Sequence, residues 1–219
     1  VFPGLAVRRI TPGVIEHVLA GTCGVKLRDA THVERLFAAL AQQVDIVESG
    51  DAGAEPSLLH RTDVRRMMLR DLEHEAGERL IRRIDRRAVI YHAGVDSLPS
   101  RAEEIYHRLR RQQSEKTIRT RWEKGVEAYL TTALDEIVEP ATRLLLAELL
   151  DVTLNQEDLA NAEYDGWERQ AMRRASDYLR AGSPERALSV LAERDRTAAS
   201  SPLLRLEAQV QQQLGRFDV

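Results

Sequence analysis

The side chains of this 219-residue chain best suited to chemistry are one cysteine, six histidines and two tryptophans. Cys23, in "GTCGV", could serve as a nucleophile only if a neighbouring base took its proton. No residue near it in sequence is suited to that task, so it reads as a small buried filler. The histidines stand at 17, 32, 60, 74, 92 and 107. No two fall at i, i+3 or i, i+4, the spacing that sets two imidazoles on one helix face for a metal. The chain has no G-x4-G-K-[ST] phosphate loop, no G-x-G-x-x-G, no H-E-x-x-H and no close cysteine pair. No catalytic residue, cofactor-binding residue or metal ligand is therefore expected among these residues. Trp122 and Trp167 read as packing anchors that open successive helices rather than as base-stacking platforms. "RRIDRR", Arg82 to Arg87, reads as a solvated helix face.

Composition points the same way. Charged residues make up 31% of the chain and aromatics 5%, a balance that fits a helix-rich fold. A lone cysteine excludes an internal disulfide and fits a reducing compartment. No apolar run approaches the ~20 residues of a membrane span and no secretory leader is visible, so a cytoplasmic location is expected. Of the 32 Lys and Arg residues, 29 are arginine, a bias that fits a GC-rich bacterial genome. The net charge of −3 conceals a gradient. Residues 1–60 carry 5 basic and 7 acidic groups, residues 61–125 carry 17 and 11, and residues 126–219 carry 10 and 17. With its acids interspersed, the basic middle reads as a set of helices with solvated arginines.

The elements follow from periodicity. "LAVRRI" (5–10) alternates as a short strand. Thr11 caps a helix with Pro12 in its first position, Val14, Ile15, Val18 and Leu19 on its apolar stripe, and Gly21 as its stop. Asp29 or Thr31 opens a second helix that buries Val33, Leu36, Phe37, Leu40 and Val44. "VDIVES" and "PSLLHR", joined by "GDAGAE", read as a hairpin. Strand, helix, helix and hairpin in about 60 residues is the outline of a winged-helix domain. After Thr62 the pattern is helical almost without a break. Val64, Met67, Met68 and Leu72 form one stripe, and Leu80, Ile81, Ile84, Ala88 and Tyr91 form the next. Ser100 is read as a cap, and "SEKTIRTRWEKGVEAYLTTALDEI" and "EPATRLLLAELLDV" follow. The expected class is mainly α: a winged-helix domain at 1–61, a helical arm or bundle at 62–165, and tetratricopeptide-like repeats at 166–219.

The repeat reading rests on spacing. Ala175, Gly182 and Glu185 recur 33 residues later as Ala208, Gly215 and Asp218. In "ASDYLRAGSPERALSVL", Tyr178, Gly182, Ala187 and Leu191 stand where the 34-residue helix–turn–helix repeat wants an aromatic, a turn glycine, a small residue and a large apolar one. The chain then stops just inside what would be the next helix, and it opens on Val1, so the sequence is read as a piece of a longer protein. Leu203, Leu206, Val210 and Leu214 would form an apolar stripe on the truncated C-terminal helix. That stripe is a candidate interaction surface, with self-association through it as one outcome.

From "LAVRRITPGVIEHVLAGTCGV" through "LFAALAQQVDIVES", "LLHRTDVRRMMLRDLE" and "RRAVIYHAG" to "RAEEIYHRLRR", the chain resembles the segment after the ATPase domain of bacterial STAND-type (signal-transducing AAA+-like) ATPases. The resemblance covers roughly residues 5–219 and is one of architecture. It implies a winged helix, a helical arm and tetratricopeptide-like sensor repeats, with ATP and magnesium bound only in a domain upstream. It implies a non-catalytic regulatory and interaction role, with a protein partner or the chain's own upstream ATPase domain as the partner. The alternative is a fragment of a DNA-binding winged-helix transcriptional regulator. Against it, the second helix offers a groove only His32 and Arg35 beside Asp29 and Glu34, and "SGDAGAE" makes an acidic wing. Nucleic acid is therefore not the expected partner, and no membrane is.

Overall fold

The computed structural model describes residues 3–50, 56–62, 64, 65, 67–69, 78–155, 164–193 and 201–215. The fold is mainly helical, with one small antiparallel sheet, and it divides into two compact units, Val1–Ile137 and Val138–Val219. The division falls inside the stretch 62–165 that the sequence reading assigns to an arm.

In the first unit a short 3-10 turn, Pro3–Ala6, precedes strand β1, Arg9–Ile10. The strand is thus shorter than the alternation over 5–10 suggests, because Leu5, Ala6 and Val7 are all buried rather than alternately exposed. Helix α1 (Pro12–Val14) begins as its sequence dictates. Thr11 is extended and its hydroxyl accepts the Val14 N–H, while Pro12 supplies the first helical position. The helix then widens to π geometry over Ile15–Ala20. Gly21 does not stop it in a left-handed turn: its φ is −65°, and the left-handed residue is Gly24. Helix α2 (Ala30–Ala41) is capped by Asp29, whose carboxylate accepts the His32 N–H at 2.8 Å. Of its expected inner face Val33 is buried, Leu36, Phe37 and Leu40 are partly so, and Val44 lies in solvent beyond the helix.

Strands β2 (Val47–Ser49) and β3 (Leu58–His60) pair antiparallel, and β1 joins the other edge of β3, giving the order β1-β3-β2. The register sets Ile10 and Ser49 on either side of Leu58. The connection at 51–55 lies outside the described residues. Residues 62, 64, 65 and 67–69 are helical. There the expected stripe is rotated: Met67 is 72% exposed, whereas Arg65 and Leu69 are buried. Leu72 lies outside the described residues.

Helices α3 (Glu78–Ala93) and α4 (Leu98–Arg110) pack on each other, and α4 is capped by Ser97, with Ser100 one turn inside. The stretch after Ser114 divides into short helices. Helix α5 (Glu115–Arg121) ends at Trp122, so that residue closes a helix instead of opening one. Gly125 then takes a φ of +106°, a conformation that costs a side-chain-bearing residue. Helix α6 (Glu127–Leu130) and a 3-10 turn (Thr131–Asp135) complete the unit. Among the described residues no strand follows His60.

A buried ionic centre joins the sheet to this last turn. The Arg65 guanidinium donates to Glu136 at 2.9 Å, to the Val7 carbonyl at 2.7 Å, to the Leu5 carbonyl, and to the Tyr106 hydroxyl at 2.8 Å. Tyr106 donates onward to the second Glu136 oxygen at 2.6 Å. The Arg65 and Glu136 side chains are 3% and 7% exposed. Burial alone would raise the Glu136 carboxyl, but Arg65 beside it holds the group below the usual carboxylate range.

In the second unit, α7 (Pro140–Leu149) is capped by Glu139 and packs on α8 (Tyr164–Arg180). Helix α9 (Pro184–Leu191) folds back on α8, and α10 (Leu203–Gln213) packs on both. The turns after α8 and α10 carry Gly182 and Gly215 at φ +70° and +71°, where glycine alone avoids a steric cost.

The ionic centre yields a stability prediction. Arg65→Met leaves Glu136 as an unpaired buried charge and should cost about 3–5 kcal/mol in urea unfolding at neutral pH. The double variant Arg65→Met/Glu136→Leu should recover much of that loss. The Glu136 contribution is complete above the ordinary carboxylate pKa of about 4.3 and disappears as pH falls through its depressed folded value. Equal losses in the single and double variants would refute the account.

Candidate functional site

The four residues of the expected apolar stripe are largely covered. Leu203 and Val210 are fully buried and Leu206 is 9% exposed; Leu214 is partly buried. They face α8 and α9, because two preceding helices already supply a complete apolar wall. The large apolar side chain left in solvent on α10 is Leu204, one position off the stripe. The repeat positions behave unequally. Ala175, Ala187 and Leu191 are buried, but Ala208 is exposed, and Asp218 lies outside the described residues.

Cys23 lies partly buried at the edge of an apolar cavity of about 340 Å³ enclosed by the π segment, α2 and the sheet. Burial pushes its thiol up, so at neutral pH it is a thiol and a poor nucleophile. His60 also lines this cavity. Its Nε2 lies 3.1 Å from the Gly4 carbonyl, which can only accept, so Nε2 carries the proton. Burial, with Arg65 nearby, lowers the His60 pKa to about 4.

Several polar side chains that periodicity does not single out are buried in α3 and α4. Asp85 accepts from His107 Nδ1 at 2.8 Å, and the Arg110 guanidinium lies 3.5 Å from its other oxygen. His92 stacks on His107 with rings 10° apart and meets Ser100 at 3.3 Å. Burial, with His107 beside it, lowers the His92 pKa to about 3. Glu104 is gripped by Arg121 through both oxygens, at 2.9 and 2.7 Å, and by Arg108 at 2.8 Å. A usable sequence signal did exist for Asp85. It stands four residues from both Ile81 and Val89, on the stripe that the apolar residues define. Since His107 is fully buried, this carboxylate–imidazole pair is closed to substrate and serves to lock α3 onto α4.

Exposed chemistry gathers elsewhere on α3. Arg79, Arg82, Arg83, Arg86 and Arg87 are all exposed, on the face opposite Ile81, Ile84, Asp85 and Ala88. Three of them, with His17 and Thr22 of the facing segment and with Ile90 and Tyr91, line a groove of about 650 Å³. Tyr91 stacks on His17 at 5.5 Å. The helices approach closely because Gly13 leaves space for the Tyr91 hydroxyl where any β-carbon would collide with it. A smaller groove, lined by Arg28, His32, Arg35 and Leu36, lies at the start of α2.

No protein-family model matches the chain, and no curated protein or solved structure shows significant similarity to it. Among the described residues no helix is long and apolar enough to cross a membrane.

Two measurements test these assignments. Leu203→Ala should destabilise the protein by about 2–5 kcal/mol, the range for a filled core site, whereas a stripe open to solvent would give a change near zero. His92 is neutral in the folded chain and protonates with a pKa of about 6.5 once unfolded, so unfolding takes up a proton between pH 6.5 and about 3. Stability should therefore fall with pH across that window, by at most about 1.4 kcal/mol per unit from this residue. His92→Phe should flatten the slope of a urea series, and an unchanged slope would sink the assignment.

Proposed function

We propose that this chain is a non-catalytic regulatory and protein-interaction segment of a larger STAND-type ATPase. In this reading the sheet and first two helices are a winged helix, and the second unit begins a tetratricopeptide-like array. The observation that carries the reading is the Arg65–Glu136 centre. It clamps the carbonyls leading into β1 to the turn at the far end of the first unit, 71 residues on from Arg65 in sequence. A displacement applied at the sheet would thereby reach Tyr106 of α4 and Glu136 through direct bonds. The chain order strand, helix, helix, hairpin and the sheet order β1-β3-β2 support the winged-helix part. Gly182 and Gly215, 33 residues apart with matching left-handed φ, support the repeat part.

The partner is a protein, most simply an ATPase domain of the same polypeptide, in the cytoplasm. ATP and magnesium belong to that domain, since this chain has no anion-cradling loop. The second reading, a winged-helix transcriptional regulator, draws on the shared groove of Arg28, His32 and Arg35 at the start of α2. Asp29 and Glu34 adjoin it, which weakens a claim on duplex phosphates.

Sequencing the coding region before Val1 tests the first reading directly. A phosphate loop and an acidic metal-binding strand are expected there, and an unrelated domain would overturn it. Binding assays on the chain itself separate the two readings. ATP with magnesium should give no low-micromolar heat in calorimetry. Duplex DNA should bind with Kd of ~10⁻⁵ M or weaker near physiological salt. Sub-micromolar, sequence-selective duplex binding would favour the regulator.

A further inference from the structure

The exposed face of α3 is built in a way the fold does not need. Elsewhere in this unit several arginines meet carboxylates nearby: the exposed Arg119 pairs with Glu115 at 2.8 Å, and the partly buried Arg101 and Arg108 both reach Glu104. On α3, among the described residues, Arg82 alone has such a partner, Glu78. Among the described residues Arg79, Arg83, Arg86 and Arg87 pair with no carboxylate. They stand at i, i+4, i+7 and i+8, so like charges lie on successive turns, where they repel. The helix also turns its own acid, Asp85, inward. Among the described residues, four of the five exposed arginines of α3 thus have no carboxylate partner, and their like charges repel one another.

Arg83, Arg86 and Arg87 of this set line a concave groove with an aromatic wall, and Arg79 lies one turn farther along the helix. His17 is 57% exposed at its side chain, stacks on Tyr91 at 29°, and has the Glu16 carboxylate 3.9 Å from its Nε2. Ile90, 68% exposed, adds an apolar side chain to the groove's lining. Arginines bind phosphate as planar forks, and successive turns present them about 6 Å apart along the helix axis. Flat rings beside a basic track are what unpaired bases stack on. A flexible strand can reach the floor of such a groove, whereas a stiff duplex would meet only its rim. An acidic peptide would satisfy the arginines but leave the ring face without a use.

We propose that the groove between the Ile15–Ala20 segment and α3 is a binding site for single-stranded nucleic acid, with phosphates on Arg79, Arg83, Arg86 and Arg87 and a base on His17. The site is independent of any upstream ATPase and of the α2 groove. Recognition is of backbone and stacking, without sequence selection.

Fluorescence anisotropy on the whole chain tests it, with a twelve-nucleotide oligo-dT and oligo-rU as probes. Inorganic polyphosphate of equal charge and a polyglutamate peptide serve as competitors. Four arginine contacts predict a slope of log K against log salt of about −2.8 between about 50 and 200 mM. Arg83→Gln/Arg86→Gln/Arg87→Gln should reduce that slope by about 2 and the low-salt affinity by about tenfold or more. His17→Ala should weaken oligo-dT severalfold while leaving polyphosphate competition unchanged. All these positions are exposed, and circular dichroism confirms that the variants fold. A control triple, Arg111→Gln/Arg186→Gln/Arg205→Gln, removes equal charge at exposed positions outside both grooves and should leave binding intact. The proposal is overturned if the control weakens binding as much as the groove triple, if polyphosphate competes as well as oligo-dT, or if polyglutamate binds more tightly than either oligonucleotide.

Discussion

A guanidinium taken out of water must place its donors, and Arg65 imposes that requirement on the whole first unit. Its five N–H groups cannot be left unpaired in an apolar interior, so each neighbour that reaches it is fixed in position. Two acceptors are backbone carbonyls, of Leu5 and Val7, and they hold the chain entering β1 in the short turn that precedes the strand. The remaining acceptors, Tyr106 and Glu136, come from α4 and from the residue just after the Thr131–Asp135 turn. Arg8 and Arg110 crowd the same Tyr106 ring at 5.1 and 5.8 Å, and Arg8 reaches on to the Tyr129 carbonyl. The sheet, α4 and the last turn are thus positioned by one set of bonds. An apolar core of equal volume would hold them as firmly but would specify their register less strictly.

This centre explains which features could be read from the residues alone. Helix starts were legible, because a cap is a local event: Thr11 and Asp29 each bond an amide three residues on. The strand order was legible only as far as the hairpin, since the pairing of β1 with β3 depends on residues about 50 apart in sequence. Apart from Asp85, whose place on an apolar stripe marks it, the buried charges were not legible. Periodicity sorts residues by hydropathy, and Arg65, Asp85, Glu104 and Glu136 sit inside for reasons that lie in distant partners. The stripe at 64–72 was misaligned by this rule, which counted Met67 as core and passed over Arg65.

The C-terminal stripe is covered for a related reason. Leu203, Leu206 and Val210 form the inner face of α10, and an inner face is by itself silent about how much wall stands opposite. Two helices suffice here, α8 and α9, since the small residues Ala175 and Ala187 let α8 and α9 pack closely. The glycine spacing was legible because left-handed turns tolerate few other residues. The path of the chain beyond each glycine is set by packing, not by the turn.

Charge shows most clearly how a linear count misleads. Residues 61–125 carry 17 basic and 11 acidic groups, mixed closely enough along the sequence to suggest a neutralised surface. Folding separates them. Asp85, Glu103 and Glu104 are withdrawn into the interior, where Asp85 meets His107 and Glu104 meets Arg121 and Arg108. On the basic side Arg65 is withdrawn and spends its charge on Glu136. On α3 the separation is complete within a single turn, because the period that turns Ile84 and Asp85 inward turns Arg82, Arg83, Arg86 and Arg87 outward. An acid that secures the interior of a helix is lost to the surface, and among the described residues Arg82 alone of these arginines keeps a carboxylate partner, Glu78. The same buried acids that hold α3 and α4 together therefore give the exposed face of α3 its field, so stability within and charge outside have one structural cause.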